Sequence, residues 1–365
     1  MPSPHPTGSV QQAHYRLPAR AFPPARRPGA PAVARRAGWY TGRMTGDGLP
    51  GQMRSSALTL LAALDDRQRA LAGRPFTDDA ARRWLEYRPR RRPGACLAQM
   101  SVPARKAAHR LLATGLSEHA YAQAMGIVAL EEVLDRREQW RRGRHSDDYW
   151  VSVFGDPAGT LPWSWRFEGH HLSVTMTVAD GEVSPAPVFF GANPACVSYA
   201  GRPVSRPLAP EEDLARALID ALRPTERATA VVAGQAPGDI RTGTSPRARE
   251  GIEPLGVAAA RLGPAPRAAL GQLVTLYLDR LPAQLAARQA SRLAGAELHF
   301  AWEGPLAPGR RHYYRVQGDD LLIEYDTTDD GNHAHTVLRR PRSDFGDDVL
   351  AAHYSREHHA AEPAE

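Results

Sequence analysis

Lysine is almost missing from this 365-residue chain: Lys106 is the only one among 46 basic residues, and the rest are arginine. Together with the alanine excess, this reads as the codon bias of a GC-rich genome rather than as selection for guanidinium chemistry. Cysteine is equally scarce. Cys96 and Cys196 lie a hundred residues apart, with neither CxxC nor metal-ligand spacing, which excludes a disulfide framework and a cysteine-based zinc site. Two reduced thiols suit a cytoplasmic protein. No stretch is long and apolar enough to cross a bilayer, so a membrane is not an expected partner. There is no GxGxxG, no Walker loop and no visible internal repeat.

The net charge of +6 looks like that of a nucleic-acid binder until it is located. Arg16, Arg20, Arg26, Arg27, Arg35, Arg36 and Arg43 against Asp47 place a charge of +6 within residues 1–50, so the remainder is neutral. That segment is rich in Pro, Ala, Gly and Arg and lacks hydrophobic periodicity, which predicts a disordered tail. It also lacks the apolar core of a secretory signal. Translation from Met44 is one hypothesis for it. Arg88, Arg90, Arg91 and Arg92 form a second basic patch without interleaved aromatics, so nucleic acid is not the expected partner.

The sequence predicts an α+β fold: a helical N-terminal half packed on a mainly antiparallel sheet. The expected boundaries are a tail over 1–50, one domain over 51–356 and a second tail over 357–365. Leu61, Leu64 and Leu71 keep helical spacing up to Gly73, and Thr77 looks like the N-cap of a helix carrying Trp84. Ser101 and Ser117 cap two more helices. From Tyr149 the period shifts toward two, predicting strands over 149–154, 165–178 and 188–190. Pro210 opens one later helix, and Leu270, Leu273, Val274, Tyr277, Leu278 and Leu281 stripe another. Between them, 234–254 is too long for a simple connector and reads as a lid or binding loop. Strands over 298–303, 312–317, 321–326 and 333–340 have short connections, hence an antiparallel meander.

Histidine carries the functional signal. Imidazole is the commonest side-chain metal ligand near neutral pH, because it offers a neutral nitrogen. His170-His171 and His333-Ala334-His335 are two clusters in strand-like sequence, and His353 follows. Alternate strand residues share a face. His333 and His335 therefore point one way, and a kink at Gly169 is needed before both His170 and His171 serve one ion. Glu168 and Glu324 are candidate general bases, and Arg315 a candidate for a substrate carboxylate or phosphate. The ordinary alternative for Arg315 is an ion pair with Glu324 or Asp326. Glu131 and Glu138 share a helix face, most simply a solvated one.

The blocks YWVSVFGDP (149–157), WRFEGHHLS (165–173), PVFFGANP (187–194), FAWEG (300–304), LIEYD (322–326) and Asn332–His335, with Asp344-Phe345-Gly346, resemble the domain-of-unknown-function family 3500. The resemblance runs from about Phe76 to Tyr354. It implies no established activity, but it marks the EGHHLS and NHxH blocks as characteristic. The chain departs from the pattern at Arg339-Arg340, where the resemblance implies Arg-Asp, and Asp344 is the candidate substitute.

These readings converge on a metal-dependent enzyme acting on a small polar or acidic molecule. His171, His333 and His335 are the leading ligands, with His170 and His353 as alternates. Zinc with hydrolysis is the first expectation. A carboxylate in place of one histidine shifts it toward iron or copper and oxidation. The remaining alternative is a non-catalytic binding protein for an acidic metabolite.

Overall fold

Alternation along the strands gives this protein a sheet with two unlike faces. The computed structural model describes residues 48–141, 145–248 and 250–360, with side chains as far as 355. Eight strands form the body of the sheet: β1 (Tyr149–Phe154), β2 (Trp163–Gly169), β3 (Leu172–Ala179), β4 (Val188–Ala192), β5 (His299–Glu303), β6 (Tyr313–Gly318), β7 (Leu321–Thr328) and β8 (His333–Arg339). They lie in the order β1-β2-β3-β4-β8-β7-β6-β5, each antiparallel to its neighbours. Short edge strands bring the total to 13.

One face is apolar. Trp165, Phe167, Val174, Phe190, Trp302, Tyr314, Ile323 and Leu338 are buried there. Helices cover it. Among them α1 (Gly48–Ala63), α2 (Val102–Gly115) and α3 (Glu118–Arg137) precede β1, while α4 (Ala209–Ala221) and α5 (Pro264–Leu278) precede β5. Ser101 and Ser117 cap α2 and α3 as their sequence predicts, each side chain accepting from the amide three residues on. A Cβ on Gly115 would come within 2.8 Å of the Trp165 ring, so the end of α2 sits directly on β2.

The other face is polar and equally buried: Arg166, Glu168, Thr175, Arg315, Glu324, Asp326, His335 and Arg339 line it. Buried charges need partners. Here irregular backbone supplies them. Arg166 Nη1 donates to the Ala81 carbonyl (2.8 Å), Arg315 Nη2 to those of Ile252 and Pro254, and Arg339 Nη1 to that of Ser245 (2.8 Å). Glu324 accepts from the Arg241 amide (2.6 Å) and from the Thr242 hydroxyl. Segments 75–94 and 234–256 are thereby strapped across the polar face.

The topology occurs twice. Gly73–Arg74 runs parallel to β1 with Gly73 opposite Val153, and Val231–Ala233 runs parallel to β5 with Val231 opposite Trp302. After each strap, Ala95–Cys96 pairs antiparallel with β1, and Val257–Ala258 with β5. Each time a 3₁₀ turn, two helices and a four-strand meander follow. Register makes Arg166, opposite Ser152, the counterpart of Arg315, opposite Ala301. Each of these arginines holds its own strap. The sequence expectation of no internal repeat is therefore corrected. The shared pattern Arg-x-(Glu/Gln)-Gly-x-x-Leu, at 166–172 and 315–321, is too sparse to stand out.

The α+β class and the meander stand as expected, with smaller corrections. The run through Leu61, Leu64 and Leu71 is two helices, because the Asp65 side chain caps Asp66–Ala72, and Gly73 is extended at φ −80°. Asp78 rather than Thr77 caps the next helix, which ends before Trp84. Residues 48–50 already belong to α1, and 357–360 to the last helix, α6 (Asp347–Ala360), at positions where the sequence predicts tails. The rest of each tail lies outside the described residues. Among the described residues, no helix is long and apolar enough to cross a membrane.

Candidate metal centre

The expected continuous strand over 165–178 is instead a hairpin, and that difference creates the site. β2 ends at Gly169 and β3 begins at Leu172, so His170 and His171 are its two-residue turn. His171 adopts φ 60°, a left-handed conformation that costs a residue with a Cβ about 1–2 kcal/mol. The strain falls on His171 itself, not on Gly169. The neighbouring strap and strand fix this conformation: the His171 amide donates to the Tyr87 carbonyl (3.0 Å), and the Gly191 amide donates to the His171 carbonyl (2.7 Å). A Cβ on Gly191 would lie 2.8 Å from His171 Cδ2, so the ring needs a glycine beneath it.

His333 and His335 come from β8 on the same face, as alternation predicts. Nε2 of His171 lies 2.9 Å from Nε2 of His333. The ring centroid of His335 is 5.3 Å from that of His171 and 4.6 Å from that of His333. One nitrogen from each of the three rings falls within 4.8 Å of the others, a geometry able to hold a metal ion. Among the described residues, two further groups adjoin it: Glu131 with His170 and His171, and Asp239 with Asp326 and His335.

Carboxylates anchor the far sides of the rings. Asp329 Oδ2 lies 2.8 Å from His333 Nδ1, and Asp239 and Asp326 each place an oxygen 3.1 and 3.2 Å from His335 Nδ1. Metal-bound imidazoles generally hold such partners. Burial pushes the His333 imidazole down to about 4, with the positive His335 adding to the effect and Asp329 opposing it. Burial would lower His335 too, but the Asp326 and Asp239 carboxylates outweigh it and raise the ring to about 9. Burial also raises Asp326. For Asp239 burial acts the same way, yet His335 and the Tyr87 hydroxyl prevail and hold it below the usual carboxylate range.

His170 stacks on His171 with centroids 3.7 Å apart, and its Nδ1 meets the buried Glu131 carboxylate of α3. Glu131 is thus no solvated helix residue. A charge on an otherwise core-facing helix stripe, beside Ile127, Leu130 and Leu134, was the available signal. Asp239 was equally illegible, because only the path of the strap brings it to His335. Its other oxygen accepts from Tyr87 Oη (2.7 Å), whose ring stacks on Phe189 at 4.0 Å.

The remaining expected site residues lie elsewhere. His353 of α6 pairs with Asp180 (2.9 Å) and belongs to none of the three metal-competent groups. Glu168 is held by Arg166 (2.7 Å) and faces Arg92 at 3.5 Å. Glu324 holds the strap, and burial raises both carboxyls. Arg315 pairs with Glu303 (2.7 Å), not with Glu324 or Asp326. The positions expected to act as bases and substrate anchor therefore secure the straps. Asp344 takes over as the carboxylate partner of Arg339 (2.7 Å) and likewise stays out of the centre. In the second repeat the turn residues are Asp319 and Asp320. Asp320 binds Arg340 (2.6 Å) and the Ser343 hydroxyl (2.6 Å), so only the first repeat's turn delivers imidazoles.

An open cavity of about 410 Å³ lies beside Asp329, the carboxylate partner of His333, and is lined also by Gly234, Gln235, Arg310, Arg311 and Asp330; none of the three histidines lines it. No curated protein and no solved structure matches the chain significantly. The family described as "Protein of unknown function (DUF3500)" matches residues 50–347, which spans the straps, helices α2 to α5 and the whole sheet, and this chain belongs to that family.

Proposed function

We propose that this protein is a metal-dependent enzyme that hydrolyses a small polar or acidic molecule, its ion bound by His171, His333 and His335. The observation that carries the reading is the convergence of three imidazoles from two distant segments onto one point, with a strained His171 backbone to achieve it. Strain at a residue with a Cβ persists where function or surrounding structure requires it. With Nδ1 of His333 and His335 turned to carboxylates, Nε2 is the nitrogen each has for the ion. Three nitrogen ligands and an open position suit zinc, which lowers the pKa of bound water to about 7.

The chain's own residues account for the remaining requirements. Tyr87 and Phe189 wall the centre with aromatic surface, which limits water around the ligands. The cavity beside Asp329 offers Arg310 and Arg311 to an anionic substrate group. A cytoplasmic location belongs to this reading, and both cysteines are free thiols. Iron or copper in place of zinc would move the assignment to oxidation, since Asp239 and Asp326 add carboxylates to the histidines.

The test is a panel of small ester, amide and phosphate substrates with untagged protein. Hydrolysis should disappear on chelation and return with zinc, and His171→Ala should abolish it. Activity that survives complete metal removal would overturn the proposal.

A further inference from the structure

We propose a second cation site beside the first, formed by Asp239, Asp326 and Nδ1 of His335, so that His335 bridges two ions through its two ring nitrogens. The inference rests on the three-histidine reading and adds a second ion to that centre.

The geometry around His335 Nδ1 carries it. Oxygens of Asp239 and Asp326 lie 3.1 and 3.2 Å away, within ordinary hydrogen-bond distance, yet neither contact is aligned as a hydrogen bond and Nδ1 has no such partner among the described residues. Two carboxylate oxygens gathered on one ring nitrogen without hydrogen-bond alignment suit co-ligands of one ion.

Asp326 supplies an independent observation. Its side chain is fully buried, and its Oδ2 accepts no hydrogen bond among the described residues. A buried carboxylate oxygen without a donor is costly unless a cation takes it. Asp239 is held in place although it lies in a strap: Tyr87 Oη donates to Oδ2 (2.7 Å) and the Ile240 amide to Oδ1 (2.8 Å). Two carboxylates and one imidazole suit a divalent ion such as zinc, manganese or iron. Binding of both ions removes both ring protons of His335 to solvent.

The ordinary alternative, in which the carboxylates merely orient His335 for one ion, predicts a different stoichiometry. Metal-stripped full-length protein is reloaded with zinc, desalted, and measured by elemental analysis. Wild type should retain two ions per chain, and Asp239→Asn, at a partly exposed position, should retain one while staying folded by circular dichroism. Copper(II)-loaded wild type should show a depressed electron-paramagnetic signal from coupling across the imidazolate. Asp239→Asn should restore the signal of one uncoupled ion. One ion in both proteins overturns the second site and leaves the first intact. Zero in wild type overturns the three-histidine reading itself, and the second site with it.

Discussion

His171 and His333 stand 162 residues apart in the chain and bring their Nε2 atoms within 2.9 Å of each other. Two nitrogens at that distance share at most one proton between neutral rings, and they lie as neighbouring ligands of one ion would. Burial favours this arrangement in the metal-free protein by holding His333 neutral, while Asp326 and Asp239 hold His335 positive.

That opposition fixes how the metal-free protein responds to pH. His335 is raised from 6.5 to about 9, so its stabilisation is complete below about 6.5 and is lost as pH rises toward 9. His333 is lowered from 6.5 to about 4, so the unfolded chain gains a proton first, and stability is lost as pH falls from about 6.5 toward 4. For these two groups together, the midpoint of urea unfolding should peak near pH 6.5. Each group contributes a slope of about 1.4 kcal/mol per pH unit within its window. His335→Gln should remove the loss on the alkaline side. A wild-type midpoint that climbs steadily from pH 6.5 to 9 would contradict the assignment.

Gly191→Ala tests the seat of His171. The new methyl would meet the imidazole at 2.8–3.1 Å, so the ring must move. Such overpacking costs about 1–3 kcal/mol of stability. Zinc affinity, measured by competition with a chromophoric chelator, should fall at least tenfold. Unchanged affinity would show that the ring position is not what the ion requires.

Glu324→Ala separates a strap residue from a catalytic one. The substitution strips acceptors from the part-buried Arg241 amide and from the buried Thr242 hydroxyl and Tyr313 Oη. We expect about 3 kcal/mol of destabilisation, with early proteolysis within 234–256. Zinc content should persist below the unfolding transition. A stable, protease-resistant protein would refute the strap role.

His353→Ala is the complementary control. His353 contacts Asp180 and lies in none of the metal-competent groups among the described residues. Metal content should equal that of wild type, with a stability loss of about 1 kcal/mol from the missing pair. Reduced metal content would restore His353 to the ligand set.

Much of this arrangement is legible in the chain before folding. Alternation in 333–339 places His333 and His335 on one face, and Ser101 and Ser117 announce their helices through local capping chemistry. The turn at His170-His171 is hidden because 165–178 reads as one strand-like run, without the Asn-Gly or Asp-Gly pair that marks a tight hairpin. Asp239 reaches the centre only through the path of its strap, which no local periodicity encodes, whereas helical spacing does place Glu131 on the buried stripe of α3. The repeat is hidden for a related reason: strand positions need only face and bulk, so the two copies keep few identical residues beyond Arg166/Arg315 and Gly169/Gly318. Glu168 and Glu324 are candidate bases, and Arg315 a candidate anchor, because their strands also carry or neighbour the histidines; in the structure these side chains hold irregular backbone and its arginines.

The most direct measurement is elemental analysis of untagged protein purified without chelator, alongside the double substitution His333→Ala/His335→Ala. Wild type should carry at least one equivalent of a transition metal, zinc foremost, and the double variant almost none, with both proteins folded. Wild-type protein free of metal, or a double variant that keeps its metal, would contradict it.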